Sequence, residues 1–235
     1  MKDLADINVA ILAGGLGTRL RSKIAGQQKI LAPVKNYPFL TYVLDRLNET
    51  GFKKIVICTG YLGKQVKKQF GGKYGGLSLF YSHEHEKLDT AGAIRLALPL
   101  LTSDDILVTN GDTYFDSDLK KFWQFHLAKK SKATILLKKI ANISRYGQVV
   151  LDKNNRIISF QEKDGKKGTG LINGGMYLFK KSLLSKIPKN KAVSFEKELF
   201  PSLVEKDFYG FVGEGKFIDI GTPQSYKDAQ SFFSS

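Results

Sequence analysis

Ile7-Asn8-Val9-Ala10-Ile11-Leu12-Ala13 runs straight into Gly14-Gly15-Leu16-Gly17-Thr18-Arg19-Leu20, and a polar stretch then leads to Lys29 and Pro33. The apolar run has the composition of a buried strand. Its glycines let backbone N–H groups approach an anion with no Cβ in the way, while Arg19 and Lys29 supply fixed positive charge. A strand opening into such a loop reads as a phosphate grip, and two cations suit a triphosphate. It is neither a P-loop, which needs Gly-Lys-Ser/Thr at a helix start, nor a dinucleotide fingerprint, which needs a third glycine where Leu20 stands.

Outward from this point, apolar strand-like runs alternate with amphipathic stretches at 42–47, 55–59, 66–70, 77–82, 91–101, 106–109, 119–128 and 134–137. That rhythm predicts an α/β fold, a doubly wound, mostly parallel sheet with a Rossmann-like core, whose ligand lies at the carboxyl ends of the strands. The Gly14 loop and Asn110-Gly111-Asp112 both fall at such ends. The second half changes character. Runs at 148–151 and 156–161 flank a turn at 152–155 and predict a hairpin, and 171–180 reads as a glycine-rich strand. Ser194 is a candidate N-cap for a helix over 195–204, and Thr222-Pro223 is an N-cap followed by proline at the first helical position. With 235 residues and no Pro/Ser/Gly linker, one domain over 1–235 is expected.

The net charge of +15 comes from lysines spread along the chain, without the interleaved aromatics and arginines of a nucleic-acid surface. It predicts a solvated surface that attracts anionic small-molecule substrates. Neither nucleic acid nor a membrane is an expected partner, and a second copy of the chain is the candidate protein partner. No apolar run approaches the roughly 20 residues that span a bilayer. A single cysteine, Cys58, excludes an internal disulfide, so a cytoplasmic setting is expected.

The loop resembles the signature of the sugar-1-phosphate nucleotidyltransferases, Gly-Gly-x-Gly-Thr-Arg-Leu followed by a Pro-Lys pair, with Gln28 in place of the proline and Lys29 on the lysine. Four further motifs follow in that family's order: Asn110-Gly111-Asp112, Glu162-Lys163, Asn173 in Ile172-Asn173-Gly174-Gly175, and Asp219 in Phe217-Ile218-Asp219-Ile220-Gly221-Thr222-Pro223. The resemblance implies transfer of a nucleotidyl group from an NTP to a sugar 1-phosphate, with release of pyrophosphate. It places Leu12, Ala13, Gly14, Gly15, Gly17, Thr18, Arg19 and Lys29 on the nucleotide. Thr90, Ala91, Gly92, Asn110 and Gly111 complete that site. Arg19, Lys29, Asp112 and Lys163 are the implied catalytic residues, and Asp112 and Asp219 the implied ligands of Mg²⁺, which prefers hard carboxylate oxygens. Lys163 would hold the sugar phosphate, while Glu162, Gly147 and Asn173 would contact the sugar. Residues 1–140 then form a nucleotide-binding half and 141–235 a β-rich sugar-binding half.

Each assignment has a plainer alternative. Asn-Gly-Asp is also ordinary turn chemistry. Asp89, where the family reads glycine, either caps the helix that follows or contacts the base. His83 and His85 are read as strand-end residues rather than zinc ligands, since no others lie nearby. Within the family the chain is most similar to the D-glycero-α-D-manno-heptose 1-phosphate guanylyltransferases, which implies GTP. Mannose-1-phosphate guanylyltransferase and a uridylyl- or thymidylyltransferase are the near alternatives; a glycosyltransferase and a non-catalytic homologue are the remote ones.

Overall fold

The computed structural model describes residues 3–15, 20, 26–161, 165 and 167–233. Its first strand, β1 (Asn8–Ala13), is a central strand, and Val9, Ala10 and Ile11 are fully buried as such a position requires. A two-strand ribbon, β2 (Pro33–Val34) and β3 (Tyr37–Pro38), leads into α1 (Phe39–Thr50), which turns Phe39, Leu40, Val43, Leu44 and Leu47 inward and stops at Gly51 in the left-handed region. There follow β4 (Lys54–Thr59), α2 (Gly63–Phe70), β5 (Lys73–Tyr74), β6 (Leu77–His83), α3 (Asp89–Ala97) and β7 (Asp105–Asn110).

Strands β7, β1, β4 and β6 lie side by side and parallel, with Leu12 opposite Asn110 and Cys58, Ala13 opposite Thr59, and Thr59 opposite His83. The carboxyl ends of four strands therefore form one row. Alternate residues feed opposite faces. Val9, Ile11, Ile55 and Ile57 join the core under α1, whereas Ala10, Val56, Cys58 and Val108 join the core under α3. This is the expected doubly wound arrangement.

The remaining elements are β8 (Thr113–Phe115), α4 (Leu119–Ala128), β9 (Ala133–Ile140), β10 (Gln148–Leu151), β11 (Ile157–Phe160), β12 (Gly170–Lys180), α5 (Lys181–Leu184), α6 (Phe200–Leu203), β13 (Phe208–Gly213), β14 (Phe217–Asp219) and α7 (Pro223–Phe232). The β-rich half continues the same sheet. β12 runs antiparallel to β7 over Met176 to Lys180 and pairs β10 over its first residues, so the sheet order is β11-β10-β12-β7-β1-β4-β6-β5, with β9 and β13 branching from β12. The exchange of partners happens at Gly174-Gly175, where the register with β9 shifts. A Cβ on Gly174 would lie 2.7 Å from the Leu136 carbonyl oxygen, and Gly175 has φ +77, so both positions require glycine.

Two helix ends can be compared with expectation. The predicted helix over 195–204 is instead a five-residue π turn, Phe195–Leu199, followed by α6. Pro201 accounts for the difference: it has no N–H for the Lys197 carbonyl and its ring crowds that carbonyl in α register. In the wider turn Leu199 N–H donates to the Ser194 carbonyl oxygen and Phe200 N–H to that of Phe195. At α7 the expected cap is present and reciprocal: Thr222 Oγ1 accepts from Ser225 N–H, and Ser225 Oγ accepts from Thr222 N–H. Thr222→Ala is expected to lower stability by about 1 kcal/mol in urea denaturation, and an unchanged midpoint would show that the cap is energetically idle.

Candidate active site

A cavity of about 450 Å³ opens at the carboxyl ends of β1, β4, β6 and β7. Of the residues expected to bind nucleotide, Leu12, Ala13, Gly14, Gly15, Lys29, Thr90, Asn110 and the catalytic Asp112 line it. Leu16, Gly17, Thr18 and Arg19 lie outside the described residues, as do Glu162 and Lys163. Ala91, Gly92, Gly111, Gly147, Asn173 and Asp219 stand outside the lining. Ala91 and Gly92 have a structural task there: their N–H groups donate to the Val193 carbonyl oxygen and tie 193–196 to the start of α3.

The two glycines at the end of β1 differ. Among the described residues nothing lies within 4 Å of where a Cβ on Gly15 would stand, as suits an anion-binding position. A Cβ on Gly14 would lie 2.6 Å from Glu84 Oε1, and one on Gly60, at the end of β4, 2.7 Å from the same oxygen. Glu84 therefore lies flat across the ends of β1 and β4, a close approach that sequence reading did not anticipate.

Gln28 takes over the work of the proline it replaces. It is buried, its Nε2 donates to the Ala13 carbonyl oxygen, and its Oε1 accepts from Ile30 N–H at 2.7 Å. The turn that carries Lys29 is thereby fixed to the end of β1. Lys29 Nζ forms an ion pair with Asp112 Oδ2; the lysine side chain is largely withdrawn from water, and the aspartate is partly exposed to the cavity. Burial works to raise the Asp112 pKa, but the Lys29 charge and its hydrogen bond outweigh it, so the carboxyl is held below its usual range and is ionised at neutral pH.

Asn110-Gly111-Asp112 is no free turn. Gly111 N–H donates to the Leu12 carbonyl oxygen at 2.9 Å, and a Cβ there would lie 2.9 Å from that oxygen, so the chain crosses β1 in contact. Beyond it β8 and β14 pair with Thr113 opposite Asp219, and Ile220 N–H donates to the Asp112 carbonyl oxygen. Asp112 and Asp219, 107 positions apart in the chain, are thus brought together by two short strands. A methyl on Gly221 would lie 2.6 Å from Asp219 Oδ1 and 3.9 Å from Lys29 Nζ, so both side chains approach this glycine. Asp219 Oδ2 accepts from the Tyr146 hydroxyl at 2.6 Å and faces Arg145 at 3.6 Å. Burial and then the Asp219 charge keep the Tyr146 phenol protonated, so it remains a donor. Gly147 follows these two residues, and Asn173 Nδ2 donates to the Tyr177 hydroxyl under the site at 2.8 Å.

Opposite the Lys29 side, the segment after β6 closes the cavity with Glu84, His85, Glu86, Lys87 and Asp89. Of the two readings for Asp89, the cap fails: the residue before α3 is Leu88, no side chain caps the helix, and Asp89 pairs with Lys87 at 2.8 Å. Its φ of +55 lies in the left-handed region, which favours glycine. His83 and His85 stack edge to face, and His83 Nδ1 lies 3.3 Å from Thr59 Oγ1. Glu84 is half-buried; burial pushes its pKa up, and the Leu88 N–H, donating to Oε2 at 3.2 Å, works against that. Glu84 and Glu196 are the acidic lining residues missed from sequence. The only signal was position, one just past a strand and the other just past an N-cap.

The assembled site offers Lys29, Asp112 and glycine backbone at one end, with Asp219 paired alongside, and the carboxylates of Glu84, Glu86 and Glu196 elsewhere in the lining. The profile of the family described as Nucleotidyl transferase matches residues 8–235. The chain is 40% identical over 221 residues to the D-glycero-alpha-D-manno-heptose 1-phosphate guanylyltransferase of Aneurinibacillus thermoaerophilus, covering 94% of this chain and 95% of that protein. It is 37% identical to the enzyme of the same name from Campylobacter jejuni subsp. jejuni serotype O:2, covering 92% and 95%. The crystal structure of HddC from Yersinia pseudotuberculosis complexed with GMP-PN superposes with a TM-score of 0.87 at 33% identity, over 97% of this chain and 99% of that one. Site, sheet and sequence agree over nearly the whole length, and the chain belongs to the Nucleotidyl transferase family.

Proposed function

We propose that the chain transfers the guanylyl group of GTP to a sugar 1-phosphate, D-glycero-α-D-manno-heptose 1-phosphate foremost, releasing pyrophosphate. The observation that carries this reading is the convergence of Gly14, Gly15, Lys29 and Asp112 on one cavity at the strand ends, with Asp219 paired alongside. The similarity to two heptose 1-phosphate guanylyltransferases over nearly their full length supports the choice of substrates.

In the reaction a sugar-phosphate oxygen attacks the α-phosphorus of GTP, a new P–O bond forms, and the bond to pyrophosphate breaks with its electrons on the leaving group. The nucleophile is already ionised, so no general base is needed. The barrier is mainly charge repulsion and misalignment, which fixed cations reduce. We assign Lys29 and Arg19 to the triphosphate and Lys163 to the sugar phosphate. Lys29 is held by Asp112 in a largely dry position, where its charge acts at short range without reorganisation. The two carboxylates, Asp112 just before β8 and Asp219 at the end of β14, would fit Mg²⁺, with phosphate oxygens completing the shell. Such an ion would neutralise charge on the phosphates. The base is placed against Glu84 and the sugar in the half formed by 141–235, toward Gly147, Glu162 and Asn173. A reduced, cytoplasmic setting suits Cys58, whose thiol is pushed up to about 12 by burial and by the Glu84 charge and is therefore inert.

Pyrophosphate release from five NTPs against a panel of sugar 1-phosphates tests the reading, and no turnover with GTP and any manno-configured sugar 1-phosphate would overturn it. Lys163→Ala separates the two substrates: kcat/KM for the sugar 1-phosphate should fall by about tenfold to a hundredfold, as expected for loss of a charge-assisted bond. GTP affinity measured by calorimetry should stay the same. An equal loss of GTP binding would move Lys163 to the other phosphate.

A further inference from the structure

Glu196 lines the cavity but has no part in the account above. It stands in the π turn Phe195–Leu199, and π turns inside helices recur at functional sites, because widening the backbone redirects a side chain. The segment around it is anchored on several sides. Phe195 is fully buried, with its ring 5.6 Å from that of Tyr177 and 5.1 Å from that of Phe179. Phe195 N–H donates to Thr90 Oγ1 at 2.7 Å, and Val193 accepts from Ala91 and Gly92. A Cβ on Gly92 would lie 2.5 Å from the Lys191 carbonyl oxygen, so this strap is in close contact with α3. The carboxylate is held at a fixed place.

Its chemistry limits what it can meet. A carboxylate only accepts hydrogen bonds. Glu196 Oε2 faces the hydroxyls of Ser194 at 3.2 Å and Thr90 at 3.4 Å, while Oε1 has no hydrogen-bond partner among the described residues. The phosphates of both substrates would repel it. The donors that remain are base N–H groups, ribose hydroxyls and sugar hydroxyls. Position distinguishes these. Glu84 lies over Gly14 and Gly60 at the ends of β1 and β4, whereas Glu196 is near enough to Tyr177 of β12 for its charge to help keep that buried phenol neutral, after burial itself. Tyr177 pairs with Val108 of β7 and its hydroxyl accepts from Asn173. Glu196 thus stands between the start of α3 and β12, on the side of the cavity nearest Tyr177 and Asn173.

We propose that Glu196 accepts the hydroxyls of the sugar ring and sets which sugar 1-phosphate is taken. The inference rests on the reading of the second substrate as a sugar 1-phosphate. The test compares wild type, Glu196→Gln and Glu196→Asp using mannose 1-phosphate and its 2-, 3- and 4-deoxy forms, with GTP and with 2′-deoxy-GTP. In Glu196→Gln the KM for mannose 1-phosphate should rise by about tenfold or more, as expected when a charged acceptor of a hydroxyl is lost. GTP binding by calorimetry should not change. One deoxy sugar, poor with wild type, should lose nothing further in the variant, and Glu196→Asp should fall between the two. A purely structural role would lower activity by the same factor with every sugar and would overturn the proposal. So would a variant in which GTP and 2′-deoxy-GTP become equivalent, since that places Glu196 on the ribose. If Glu196→Gln does not fold, Glu196→Asp carries the same comparison. Wild type inactive with all sugar 1-phosphates overturns the functional reading together with this one, whereas active wild type with an unselective Glu196 overturns this one alone.

Discussion

Replacing Asp112 or Asp219 with asparagine is expected to abolish turnover with Mg²⁺ while leaving the fold intact. Each substitution keeps the shape of the side chain and removes its charge. At Asp112 the amide oxygen still offers Lys29 an acceptor; alanine would leave that ammonium unpaired, at a cost of about 1–3 kcal/mol in stability. At Asp219 the amide can still meet Tyr146, the Gly221 N–H and Ser225, which hold the present carboxylate. What neither variant can do is offer a second negative charge to a divalent cation against a triphosphate. That defect is expected to cost several kcal/mol at the transition state, roughly a thousandfold or more in kcat/KM. Binding of Mn²⁺ together with a non-hydrolysable GTP analogue, followed by electron paramagnetic resonance, should weaken in parallel. Wild-type rates in either variant would remove that carboxylate from the reaction.

The same two residues show how far sequence carries. Asp112 drew notice because it follows an apolar strand of the parallel sheet, at the edge where such a sheet presents its ligand, whereas Asp219 was linked to it only through the order of the family's motifs. Their approach through Thr113 and Asp219 depends on two three-residue strands too short to signal themselves. β1 was legible as a short unbroken apolar run ending at glycines, and the helix Leu119–Ala128 as an amphipathic stretch of ten residues. β13 was missed: Gly210 and Gly213 weaken its pattern, and each is in close contact with a side chain, Leu137 of the neighbouring strand for the first and Ser117, just before α4, for the second. Gln28 looked like a departure and proved to be a substitute, since a buried side chain bonded at both ends restrains the turn as a proline ring would. Charged residues such as Glu84 and Glu196 could not be told from surface charge, because only the folded sheet decides which acids face inward.

We assign selection of the base to Glu84, which lines the cavity at the ends of β1 and β4. Guanine presents two adjacent donors, N1–H and the 2-amino group, and a carboxylate held at the ends of β1 and β4 can accept both. Uracil and thymine present one ring N–H between two carbonyls, and adenine presents a ring nitrogen that a carboxylate repels. A half-buried acid with one oxygen already given to Leu88 loses solvation whenever a base covers it, so a base that cannot return hydrogen bonds leaves it unpaired. Wild type is therefore expected to prefer GTP over UTP, dTTP and ATP by about a hundredfold or more in kcat/KM. Inosine triphosphate, which lacks only the 2-amino group, should fall between. Glu84→Gln should lower kcat/KM for GTP by about tenfold to a hundredfold and bring GTP and inosine triphosphate close together. Sugar choice should be less sharp where it rests on packing, because the extra carbon of a heptose is worth only about 1–3 kcal/mol against mannose, and residual turnover of mannose 1-phosphate is expected. If Glu84→Gln keeps the full preference for GTP over inosine triphosphate, the base is read elsewhere. If wild type uses UTP as well as GTP, or prefers glucose 1-phosphate to manno-configured sugars, the guanylyl reading fails while membership of the family stands.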